Sequence, residues 1–180
     1  MPLGLAAVPL AGEPALAATP ACDDGDEPTL EQTEGPYFTT GSPRRRSLVT
    51  PSMRGTRLVI SGRVLTTSCR PLRRAKLDFW QADAQGVYDN EGFRLRGHQL
   101  TDAEGRFRLT TIVPGLYPGR TRHIHVKAQR AGGAVLTTQL YFPRETANRA
   151  DGLYDPALLL RSVRRGPSGW TARFDFVLGS

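Results

Sequence analysis

Two histidines in the stretch His123-Ile-His125-Val-Lys-Ala128 stand two residues apart in a run that alternates like a β-strand. The period of two sets His123, His125 and Lys127 on one face and Ile124, Val126 and Ala128 on the other. Two imidazoles at this spacing project the same way, about 6.6 Å apart along the strand, within reach of a single metal ion. A solvated strand face carrying two histidines is the plainer reading of the same pattern. Just upstream lie Tyr117, Pro118, Gly119 and Arg120, a turn bearing a phenol and a guanidinium. No Asp or Glu stands near the pair in sequence, which disfavours a hydrolase that needs a carboxylate base.

A second chemical stretch is Trp80-Gln-Ala-Asp83-Ala-Gln-Gly86-Val-Tyr88, in which a strand runs into a turn and Tyr88 follows the turn glycine. By itself such a tyrosine reads as an edge residue with a wet hydroxyl. Together with Tyr117, His123 and His125 it completes a set of two phenols and two imidazoles. A phenol ionises near pH 10, so it binds as phenolate only to a cation that strongly stabilises the anion. That chemistry points to ferric iron. Structural zinc prefers thiolates, and the common ferrous site takes two histidines and a carboxylate. Two phenolates also hold iron in its oxidised state, which suits activation of an aromatic diol.

The elements that must position these groups are short strands. Arg57–Leu65, Ala75–Gln81, Arg106–Ile112, His123–Gln129, Val135–Phe142 and Thr171–Leu178 alternate and are rich in β-branched or aromatic residues. Turn signals at Asp83–Gly86, Asp102–Gly105 and Gly132-Gly133 separate them. Only Asp155–Leu160 reads as helix, with Asp155 as N-cap and Pro156 in the first position. No helices link the strands, so the expectation is an all-β, antiparallel β-sandwich with an irregular N-terminal arm and one short helix. Residues 1–22 form an Ala/Leu/Pro-rich leader with an Ala15-Leu16-Ala17 cleavage-like site, 23–56 the arm, and 57–180 the catalytic sandwich. The leader points to export, and in that setting Cys22 and Cys69 make a pair that could bridge.

The chain has 180 residues and a formal charge of +7, from 24 basic and 17 acidic residues. Its arginines are scattered, with Arg44-Arg45-Arg46 the one run, and no aromatic residues interleave with them as a stacking platform needs. The sequence therefore argues against a nucleic-acid partner and for attraction of small anionic substrates. No run of about 18 apolar residues occurs that would form a membrane-spanning helix.

Taken in order, Glu34-Gly-Pro-Tyr37, Cys69-Arg-Pro71, Leu77-Asp-Phe-Trp-Gln-Ala-Asp83, Gly86-Val-Tyr88, Arg96-Gly97, Thr111-Ile-Val-Pro-Gly115, Tyr117-Pro-Gly-Arg120, His123-Ile-His125 and Thr138-Gln-Leu-Tyr-Phe142 resemble the intradiol ring-cleavage dioxygenases, the family of catechol and protocatechuate dioxygenases. The resemblance spans roughly residues 34–142. It implies Fe(III) held by Tyr88, Tyr117, His123 and His125, with Tyr117 the ligand displaced by substrate. It implies that Arg120 lies over the substrate ring with Gln139 beside it, and that Gly35, Pro36 and Tyr37 line the pocket. Without it, Arg120 reads as a solvated turn residue and Gln139 as a sheet-face amide. The implied reaction joins a catechol-type diol and O2, cleaving the ring between the hydroxyl-bearing carbons to a muconate-type diacid. His98 reads as structural or as part of the pocket rim. A non-catalytic binding module on the same scaffold is the alternative. The ring substituent and the oligomeric state stay open.

Overall fold

Strand β1, Arg57–Thr66, buries Leu58, Ile60, Gly62 and Val64 and turns Arg57, Val59, Ser61 and Arg63 outward, the alternation its sequence predicts. The computed structural model describes residues 27–179; the leader, Cys22 and most of the acidic stretch Asp23–Glu27 lie outside them. Eight further strands follow: β2 Lys76–Trp80, β3 Arg96–Leu100, β4 Arg106–Ile112, β5 His123–Gln129, β6 Val135–Tyr141, β7 Arg161–Gly166, β8 Gly169–Arg173 and β9 Phe176–Leu178. They form two sheets, one in the order β4-β1-β8-β7 with β9 also on β1, the other β3-β2-β5-β6. Inward residues of both sheets, including Leu58, Ile60, Phe107, Leu109, Leu77, Phe79, Ile124 and Val126, meet in one apolar core. The all-β sandwich is thus as expected.

Four details depart from the sequence reading. The sandwich is not wholly antiparallel, because β8 and β9 both run parallel to β1. The expected strand Thr171–Leu178 is interrupted at Phe174-Asp175, yet the register is one and the same on either side, since Ser61 faces Arg173 and Val64 faces Phe176. Gly62 sits at this junction, where a Cβ would come within 1.7 Å of the Phe174 carbonyl oxygen. The expected helix is a single 3-10 turn, Pro156–Leu158, capped as anticipated by Asp155 accepting from Ala157 N–H at 2.8 Å. It stops there because burial of Leu158 and Leu160 draws the chain against β6, where Leu160 N–H donates to the Tyr141 carbonyl at 2.8 Å. Strands β3 and β7 lack apolar alternation and were not legible: β3 buries Arg96 and Gln99, and β7 is an exposed arginine-rich edge.

The arm positions the site. Residues 30–33 lie beside β6, where Gln32 N–H reaches the Thr137 carbonyl and Thr138 Oγ1 reaches the Leu30 carbonyl. The chain then crosses the outer face of β5 and β2, setting Phe38 against Trp80 with ring centroids 4.9 Å apart. It arrives at β3, where Arg45 N–H and the Pro43 carbonyl pair with His98. His98 Nδ1 lies 2.8 Å from the Ser42 carbonyl, so this histidine fastens the arm.

Candidate metal centre

Strand β5 delivers its histidines as the period of two requires: Ile124, Val126 and Ala128 enter the core, and His123 and His125 face the space roofed by the arm, each 4 % exposed. Their Nε2 atoms lie 3.1 Å apart, and Tyr88 Oη is 3.0 Å from His123 Nε2. His123 Nδ1 is 2.6 Å from the Thr121 carbonyl, an acceptor only, so Nδ1 carries the proton and Nε2 presents a lone pair. Trp80 stacks on the His125 ring at 4.8 Å, and His125 Nδ1 is buried without a hydrogen-bond partner.

The tyrosines come from two loops held together by their backbones. Gly115 N–H donates to the Asp83 carbonyl at 2.7 Å, and Gly86 passes so close to the Leu116 carbonyl that a Cβ would sit 2.1 Å from its oxygen. Only glycine fits that approach, which brings Tyr88 and Tyr117 together with centroids 5.8 Å apart. Tyr117 Oη is hydrogen-bonded to Tyr37 Oη at 2.8 Å, and Tyr37 stacks on Tyr88 at 4.8 Å. Tyr88, His123 and His125 therefore meet directly, while Tyr117 joins through its contacts with Tyr88 and Tyr37. Of the expected pocket residues, Tyr37 is in the cluster and Gly35 lies over His125, a Cβ there being 3.6 Å from the ring, with Pro36 between them in the chain.

Burial governs the electrostatics. Loss of water lowers His123 to about 4, with the Arg120 charge acting in the same sense, and holds His125 well below the usual range, with His123 next in effect. Burial likewise raises the Tyr88 phenol, and the hydrogen bond to Tyr117 raises Tyr37. Two neutral imidazole nitrogens thus face each other beside a neutral phenol, an arrangement that a cation between them would satisfy. Among the described residues no three His, Cys, Asp or Glu side chains gather as a metal group, so the phenols must complete any such set. Two imidazoles with two phenols fit a hard, highly charged cation, whose field would overcome the burial that keeps the phenols protonated.

Arg120 is not a solvated turn residue. The turn Tyr117–Arg120 closes with Arg120 N–H on the Tyr117 carbonyl at 3.0 Å. Its Nε donates to both Asp151 oxygens at 3.1 and 2.9 Å, and its Nη2 to Gln139 Oε1 at 2.6 Å. Gln139, fully buried, donates in turn from Nε2 to the Thr33 carbonyl at 2.9 Å. Sequence reasoning missed Asp151, which the loop after β6 brings to Arg120 from 31 positions away. It is already committed, accepting also from Thr121 and Leu153 N–H groups at 2.8 and 2.9 Å. Arg96 was missed too; buried in β3, it donates to the carbonyls of Tyr37 and Asp89 and so braces both tyrosine-bearing segments. Its position in a polar, non-alternating segment offered no signal beyond a motif match.

Residues 33–178 match the family described as Dioxygenase. The protocatechuate 3,4-dioxygenase beta chain of Burkholderia cepacia is 36% identical over 118 residues, covering 56% of this chain and 50% of its own length. A hydroxyquinol 1,2-dioxygenase of Rhizobium sp. (strain MTP-10005) is 26% identical over 125 residues, 56% of this chain and 42% of the relative. The chain thus spans about half the length of these curated relatives. Among solved structures, the dioxygenase domain of a dioxygenase carbohydrate-binding protein fusion from the cellulolytic bacterium Streptomyces sp. SirexAA-E superposes with a TM-score of 0.83 at 59% identity, covering 85% of this chain and 99% of that domain. The 3-chlorocatechol 1,2-dioxygenase of Rhodococcus opacus 1CP gives 0.76 at 29% identity, over 88% of this chain and 74% of that one.

Proposed function

The chain belongs to the intradiol ring-cleavage dioxygenases, and from that premise we propose that it is a non-haem Fe(III) enzyme cleaving catechol-type diols with O2. The overall step breaks the carbon–carbon bond between the two hydroxyl-bearing carbons and places both oxygen atoms of O2 in a muconate-type diacid. The observation that carries this reading is the meeting of Tyr88 Oη with the two facing imidazole nitrogens, with Tyr117 packed against Tyr88.

Tyr88, Tyr117, His123 and His125 would hold the iron. When bound, the ion supplies the positive charge that lets both diol protons leave near neutral pH. Tyr117 is the ligand suited to exchange with substrate. Its oxygen already has a second partner in Tyr37, so it can take a proton from a substrate hydroxyl and stay hydrogen-bonded. Arg120 contributes a guanidinium pinned by Asp151 and Gln139, so no reorganisation is needed when negative charge grows on the ring. Trp80, Phe38 and Tyr37 wall the space with aromatic surface and keep water from it.

Protein loaded with ferric iron is expected to show a red, tyrosinate-to-iron absorption and to consume O2 with catechol, giving a ring-opened diacid. Tyr117→Phe should change both iron affinity and colour, while His98→Ala, whose side chain hydrogen-bonds to Ser42 of the arm, should keep both. A colourless protein with no O2 uptake would favour a non-catalytic module on the same scaffold.

A further inference from the structure

The outer face of the β4-β1-β8-β7 sheet lies across the sandwich from the histidines and gathers arginines from all four strands. Antiparallel and parallel registers fix which side chains share that face. Arg63 on β1 stands directly opposite Arg106 on β4, and Arg173 on β8 directly opposite Arg161 on β7. Ser61 faces both Arg108 and Arg173, so Arg108, Ser61, Arg173 and Arg161 form one row across four strands. Arg164, opposite Thr171, adds a sixth arginine. All six arginines are exposed, as is Thr171, while Val59, Ser61 and Thr110 are partly covered.

Two carboxylates border this array. Asp175 accepts from the Arg63 backbone N–H at 2.7 Å, and Glu104 meets Arg106 at 3.9 Å with both side chains in water. Among the described residues no ion pair joins Arg63, Arg108, Arg161, Arg164 or Arg173 to an acid. Like charges placed directly opposite across strands oppose folding. Two such pairs in one sheet face gain nothing for the fold, and an external anion would turn each into an attraction.

We propose that this face docks a linear polycarboxylate polysaccharide, a polyuronate. The row from Arg108 to Arg161 spans three interstrand spacings, about 14 Å, with a cation on three of its four strands. A polymer that repeats one carboxylate per sugar can place successive charges along such a row, and the planar guanidinium fork matches a carboxylate in two-bond geometry. Nucleic acid fits less well. The face is flat, offers no helix or ribbon to enter a groove, and carries no aromatic ring for bases to stack on: Trp170 turns inward towards Phe142 and is covered by Arg165. Because the array and the iron-type site lie on opposite sides of the sandwich, a docked polymer leaves the catalytic side open.

The test is binding of full-length protein to polygalacturonate at low salt, measured beside duplex DNA and phosphatidylserine vesicles. The face variant carries Arg108→Ser, Arg161→Ser and Arg173→Ser; the control carries Arg54→Ser, Arg70→Ser and Arg73→Ser, equal in net charge. Wild-type and control proteins should bind polygalacturonate alike, and the face variant at least tenfold more weakly. Its thermal midpoint should be unchanged or raised, because one opposed arginine pair is gone, and its O2 uptake with catechol should match wild type. Equal loss in control and face variant, tighter binding to DNA or vesicles than to polygalacturonate, or no wild-type binding would each overturn the proposal.

Discussion

Replacing Arg120 with alanine removes a charge that the site uses twice. Its Nε holds Asp151, whose side chain is 1% exposed, and its Nη2 holds Gln139 Oε1. Stranding one partner of a buried ion pair costs about 3–5 kcal/mol. Thr121 and Leu153 N–H groups still donate to Asp151, which places the cost at the lower end of that range. For a chain of this size each kcal/mol moves Tm by about 2–4 °C, so Arg120→Ala should melt about 6–12 °C lower. Turnover should fall further than stability alone explains, by about 10²–10³, because a preorganised charge at the reacting ring is lost. Adding Asp151→Asn to Arg120→Ala separates the two effects. Neutralising the stranded carboxylate should recover most of the lost Tm and none of the turnover, a non-additivity expected of directly paired groups. Calorimetry, iron quantitation and O2 uptake with catechol are the assays. Wild-type turnover in Arg120→Ala, or recovery of turnover in the double variant, would refute an electrostatic role for this arginine.

Tyr37→Phe removes the hydrogen bond to Tyr117, a change worth about 0.5–1.5 kcal/mol. Iron content should hold while the visible band moves to longer wavelength, since a phenolate relieved of a donor gives charge to the metal more readily; an unshifted spectrum would place Tyr37 outside the site's electronics. Gly62→Ala drives a Cβ into the Phe174 carbonyl, a backbone group that cannot step aside alone. It should cost at least about 1–3 kcal/mol in thermal unfolding, and an unchanged melting curve would show that the β1–β8 junction yields.

The side-by-side projection of His123 and His125 was legible because it depends only on the two-residue period of a strand, a property of the local backbone. The same holds for the inward faces of β1, β4 and the last strands, and for Asp155 as a cap, each set by neighbours a few residues away. The donor chemistry was legible as well, since two phenols with two imidazoles restrict the cation whatever the fold. What the chain does over long separations was not. Asp151 reaches Arg120 from 31 positions away, Tyr37 reaches Tyr117 from 80, and Arg96 braces the arm at Tyr37 and the loop at Asp89 from a strand with no apolar alternation to announce it. Burial of a shared core chose those partners, because a side chain's neighbours across a sandwich depend on strand order and register. The parallel return of β8 and β9 beside β1, and with it the arginine rows on the outer face, was settled the same way: alternation says which residues point outward, and only pairing says which of them stand opposite one another.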